Sequence, residues 1–165
     1  MPRKSMVMLP VLLLCGAAAR QDAGSASARG SGVDEIARAT EFSDKQGDWA
    51  CVSRATVAFV EARKAGQIES FRKLAASSNP AARLYGLCGV ARLASSEAGT
   101  LRARLAKSKD SVTVTHGCIA EQITMEMAIN GWSRQPWPDR SKGSPFDFIC
   151  SRLDDLSPSK YRLCQ

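Results

Sequence analysis

The chain has 165 residues, 23 Lys/Arg against 16 Asp/Glu and a formal net charge of +7, with 44% hydrophobic residues. That apolar share suits one globular core and excludes a wholly disordered chain. One histidine and no Cys-x-x-Cys pair exclude a conventional zinc site, so no metal or cofactor is expected.

At the N-terminus, Arg3 and Lys4 precede an apolar run, Met6 to Leu14, and then the small residues Ala17-Ala18-Ala19. Charge, a short apolar helix and small residues are the order of a secretory signal peptide, so residues 1–19 are expected to be removed. The run is about half the roughly 20 residues that span a bilayer, and no other segment approaches that length. The competing expectation is a lipoprotein on the membrane surface, anchored through Cys15. Leu14 before that cysteine argues against it, since a small residue usually stands there. The expected address is the periplasm, the cell envelope or the medium.

Residues 20–32 are small and polar and suit a flexible linker. From Val33 a weak helical pattern runs to Thr40. Asp48 is a candidate N-cap for a helix carrying Trp49, Val52, Ala55, Phe59 and Val60 on one side, with Gly66 as its stop. A short helix is expected from Ile68 to Ala76. The clearest helix follows: Asn79 caps it, Pro80 occupies the first turn, and Ala81 to Leu93 is apolar nearly all round. Gly86 and Gly89 each cost about 1 kcal/mol against Ala inside a helix, so a closely approaching neighbour is their expected justification.

A further helix is expected from Thr100 to Ser108, an extended connection over Asp110–Thr115, and a helix from His116 to Asn130 ended by Gly131. The tail, 132–165, is rich in Trp and Pro and should pack on the helices, with one more helix from Phe146 to Leu156. At an offset of 30, Phe71-Arg72 aligns with Leu101-Arg102 and Cys88 with Cys118, a faint repeat of short helix, turn and long apolar helix.

The stretches Ala82-Arg83-Leu84-Tyr85-Gly86-Leu87-Cys88-Gly89 and Val112-Thr113-Val114-Thr115-His116-Gly117-Cys118-Ile119 resemble a group of small exported bacterial proteins with HEAT-like helical repeats. The resemblance covers about residues 70–130. It implies an export route and an all-α fold, a short antiparallel array of HEAT-like helix pairs over 33–131, and it carries over no catalytic residue.

Five cysteines follow residue 19: Cys51, Cys88, Cys118, Cys150 and Cys164. In an oxidising compartment they should form disulfides with one cysteine left over. Cys150–Cys164 across the Ser157-Pro158 turn is the first candidate and Cys88–Cys118 the second.

Residues 49–109 hold eleven Lys/Arg against Glu61, Glu69 and Glu97. A basic surface attracts an anionic envelope component or an acidic protein. Nucleic acid is excluded as a partner, because the stretch lacks the interleaved aromatics of a stacking platform. His116 and Cys118 are the one candidate nucleophile pair. On a helix they would face different sides, and an extended backbone would still leave them without a third orienting group. The Asp154-Asp155 and Glu121/Glu126 carboxylates have ordinary solvated spacing. The expected function is therefore a non-enzymatic binding or scaffolding module, with a thiol-dependent enzyme using Cys118 as the alternative.

Overall fold

The structure, a computed structural model, describes residues 32–46, 51–131, 143–157 and 162–164. The signal segment, Cys15, all of the linker but Gly32, and the Trp/Pro stretch 132–142 lie outside the described residues.

In chain order the elements are α1 (Gly32–Ala37), β1 (Glu41–Gln46), β2 (Cys51–Val52), α2 (Arg54–Lys64), α3 (Ile68–Ala75), α4 (Pro80–Leu93), α5 (Ser95–Ala106), β3 (Ser111–Gly117), β4 (Ile119–Thr124), α6 (Met125–Asn130), α7 (Pro145–Asp155) and β5 (Arg162–Leu163). The fold is mixed α/β. Among the described residues, seven helices accompany a mixed sheet whose body is three strands, β1 parallel to β3 and β3 antiparallel to β4. The two-residue strands β2 and β5 extend it, giving the order β4-β3-β1-β2-β5.

The helical layer forms where local signals are strongest. The Asn79 side chain accepts from the amides of Ala81 and Ala82, while its own amide donates to the carbonyls of Ala37 and Ala39. The α4 cap thus also ties down the end of α1. Helix α4 is buried on most sides, and α3 crosses it where Gly86 and Gly89 leave room. A Cβ on Gly86 would lie 2.3 Å from the backbone nitrogen of Ala75, and one on Gly89 would lie 2.1 Å from the Phe71 ring. The close approach expected from those two glycines is present.

An aromatic chain joins this layer to the sheet. Phe71 packs on Phe59, Phe59 on Tyr85, Tyr85 edge-on to Phe42 of β1, and Phe42 stacks on Phe146 of α7. The Tyr85 hydroxyl is fully buried, donates to the carbonyl of Ser43 and accepts from its amide, so this phenol is paired within the core. Burial pushes its pKa up.

The expected all-α, HEAT-like array is contradicted in two places. Residues 41–46, which carried no prediction, form β1. Residues 111–124 form a hairpin in place of a connection followed by a helix. Ile119 and Ile123 are spaced by four, which satisfies both a helical stripe and one face of a strand. The β-branched run Val112 to Thr115 offers a partner, Gly117 turns the chain at φ +59, and residues 119–124 pair back along it. The helix is reduced to α6, capped by Thr124. The second repeat unit therefore lacks its long helix, and the repeat does not exist as structure. Helix α2 also starts later than expected, with Ser53 as its cap in place of Asp48.

Neither favoured disulfide forms. The bridges are Cys51–Cys164 and Cys88–Cys150, with Cα separations of 5.1 and 5.8 Å. Cys150 lies on the buried side of α7 facing α4, so its neighbour is Cys88 and not the far end of the tail. Cys164 follows β5, which pairs with β2 beside Cys51. Cys118 sits exposed in the hairpin turn, outside both bridges. Two disulfides fit an exported protein in an oxidising compartment.

Candidate functional site

The basic middle of the chain is partly neutralised on folding. Arg72 pairs with Glu69 and Glu97, Arg83 with Asp110, and both Arg63 and Arg92 with Asp154. Arg102 makes a bidentate contact with Asp147 at 2.7 Å to each oxygen and lies 5.5 Å over the Phe146 ring. Burial pushes the Asp147 carboxyl up, but Arg102 and the Ser144 hydroxyl outweigh that and hold it below its ordinary value. These contacts, several of them at the surface, leave less charge for a partner than the sequence suggests.

The exposed basic residues with no ion pair among the described residues are Arg54, Lys64, Lys73, Arg104, Lys107 and Lys109. Arg104, Lys107 and Lys109 gather at the end of α5, where cations also complement the helix dipole. Arg104 stands on the rim of a cleft of about 590 Å³ between α3, α4 and α5. The cleft has Ala75, Ala76, Val90 and Leu101 among its lining, and the Arg72–Glu97 pair on its edge. Lys107 and Lys109 line a second hollow of about 480 Å³ beyond the end of α5.

A second constellation lies at the end of the sheet. Strand alternation and register put Phe42 and Asp44 of β1, Val114 and His116 of β3, and Glu121 of β4 on one face. Asp44 is 1% exposed, and its two carboxylate oxygens lie 3.0 and 2.9 Å from His116 Nδ1. The Arg152 Nε is 3.8 Å from the same carboxylate, and the Phe148 ring meets the imidazole edge-on at 4.6 Å. A carboxylate only accepts, so Nδ1 carries a hydrogen and donates it to Asp44. The helical placement that separated His116 from Cys118 is thus overturned, and a third orienting group, Asp44, is present. Sequence reasoning missed Asp44 because β1 was not recognised. The Phe42-Ser43-Asp44 alternation was the available signal, too short to stand out.

The other sequence-level candidates resolve simply. Asp154 is held by two arginines. Glu121 and Glu126 sit on different elements. Among the described residues no group of three His, Cys, Asp or Glu is placed to hold a metal ion, and no helix is long and apolar enough to cross a membrane. Comparison with known proteins found no matching family, no similar curated protein and no similar solved structure.

Proposed function

We propose that this protein is an exported, non-enzymatic binding module of the cell envelope, and that its contact surface is the cleft between α3, α4 and α5 with its basic end. The observation that supports this reading is the pairing of an apolar lining, Ala75, Val90 and Leu101, with Arg104 on the rim and Lys107 and Lys109 nearby. An apolar floor beside unpaired cations suits an anionic amphiphile: hydrocarbon displaces water from the floor while the rim faces the head group. The apolar N-terminal run and the disulfides support an exported setting for such a partner.

The test is co-sedimentation of the mature protein with vesicles containing phosphatidylglycerol, against vesicles of phosphatidylcholine alone. Binding is expected only to the anionic vesicles. It should weaken as salt rises, because exposed charge is screened over about 10 Å at 0.1 M. The substitution R104E combined with K107E should abolish it. Absence of binding at low salt, or binding indifferent to that double substitution, overturns the reading.

A further inference from the structure

The strand order β4-β3-β1-β2-β5 leaves two edges, and they are unequal. Strand β5 has two residues, too few to offer much of an edge. Strand β4 has six, Ile119–Thr124, in unbroken register with β3 and with no Pro, Lys or bulge to blunt its outer side. The closing pair of the hairpin fixes which groups that side presents. His116 and Ile119 are three residues apart, so they can pair only by exchanging both backbone hydrogen bonds. Alternation then directs the backbone groups of Glu121 and Ile123 to β3. It turns outward the N–H and C=O of Ala120 and Gln122 and the N–H of Thr124, whose C=O begins α6. The Met125 amide donates to the Asp110 carbonyl, which fits that phase. The side chains of Ala120, Gln122 and Thr124 are exposed, and among the described residues no strand lies beyond them.

We propose that β4 is a dimer edge: a second copy of this chain pairs antiparallel along it, about a two-fold axis at Gln122, and joins the two sheets into one. The outward groups are self-complementary about that point. Gln122 exchanges both backbone bonds with Gln122 of the second copy, and at either end the Thr124 amide donates to the Ala120 carbonyl. Charge favours this occupant and this register. A register centred on Glu121 sets two carboxylates opposite each other, and the Glu121 backbone groups are already directed at Val114. Centred on Gln122, Glu121 comes opposite Ile123 of the second copy, next to the hollow that Thr124 shares with Lys107 and Lys109. One Glu121 carboxylate oxygen is buried without a hydrogen bond, and the pairing brings towards it two cations that have no ion pair among the described residues. Ile119, 44% exposed, comes opposite Met125 at the start of α6. The contact is isologous and closes at two copies. It sets the two Cys118 residues about 27 Å apart along the strands, far beyond disulfide reach. The pairing uses none of the residues that line the α3–α5 cleft, so it stands or falls apart from the binding reading.

The experiment is sedimentation equilibrium of the oxidised protein from low micromolar to submillimolar concentration, with amide hydrogen exchange followed over the same range. A reversible dimer is expected. As it forms, the Gln122 and Thr124 amides should gain protection, while the Glu121 and Ile123 amides, already bonded to β3, should not change. Gln122→Pro removes the outward amide and no bond of the hairpin. It should weaken association at least about tenfold and leave the circular dichroism spectrum intact. C118S should dimerise as the unaltered protein does. A monomer throughout the range, a dimer that Q122P does not weaken, protection that fails to alternate along β4, or a dimer lost in C118S each overturn the proposal. If Q122P does not fold, the exchange pattern decides together with Q122K, which sets two like charges on the axis and should weaken the dimer most at low salt.

Discussion

The α3–α4 pair and the β3–β4 hairpin contain similar apolar spacing and reach opposite outcomes. In α4 the local signals at the start agree, an Asn cap and Pro in the first turn of a fourteen-residue helix, and the two glycines that oppose it are explained by the crossing of α3. In residues 111–124 the signals conflict, since Ile119 and Ile123 fit a helix and a strand equally and only the pairing with β3 decides. Redundant local signals make an element independent of its surroundings, and ambiguous ones hand the decision to a distant partner.

The disulfides offer the strongest way to break this comparison, because Cys88–Cys150 ties α4 to α7 while Cys51–Cys164 ties β2 to the chain end at the edge of the sheet. Removing Cys51–Cys164, which closes 113 residues next to β2 and β5, should cost about 5 kcal/mol by chain entropy. In the double Cys→Ser variant, hydrogen exchange should show the Cys164 amide, which donates to the carbonyl of Val52, losing protection while the α4 amides keep theirs. Equal loss in both regions would mean that the helical layer does not stand alone.

Gly86→Ala probes the helical side directly. Its Cβ would strike the backbone of Ala75, which cannot rotate away, so about 3 kcal/mol of stability should be lost despite the better helix propensity of Ala. A thermal melt that rises would show that α3 and α4 are not so closely packed. Gly117→Ala probes the other side by a different mechanism. Nothing lies within 4 Å of its Cβ, but φ is +59, so the loss should be about 1–2 kcal/mol and purely conformational.

The smallest effect concerns Asp147, where α5, α6 and α7 meet. Arg102 donates to Asp147, to the Ser144 hydroxyl and to the carbonyl of Ile129. Since the folded-state pKa of Asp147 is held down, its stabilisation is present above the ordinary carboxylate range and lost as pH falls through the folded value. D147N should therefore cost about 1 kcal/mol at pH 7, discounted because the pair is a third exposed, and the gap to the unaltered protein should close in acid. Denaturant titration at several pH values checks the sign.

The candidate residues were visible in the sequence to unequal degrees. The basic run could be counted, but not its neutralisation: Asp154 is 91 residues from Arg63, and Asp110 is 27 from Arg83. The spacing of His116 and Cys118 could be read, whereas Asp44 lies 72 residues from His116 and enters only through the parallel pairing of β1 with β3.

Local chemistry alone determined the starts of α4 and α7, because a side-chain cap and Pro at a first turn act within a few residues. It also determined that several cysteines would be bridged, since the type of residue and the compartment suffice for that. Only the tertiary structure decided which cysteines meet, that residues 41–46 and 111–124 are strands, and that a buried carboxylate orients the lone histidine. Each of these depends on partners far apart in sequence, and strand pairing and side-chain proximity are energies that no short window contains.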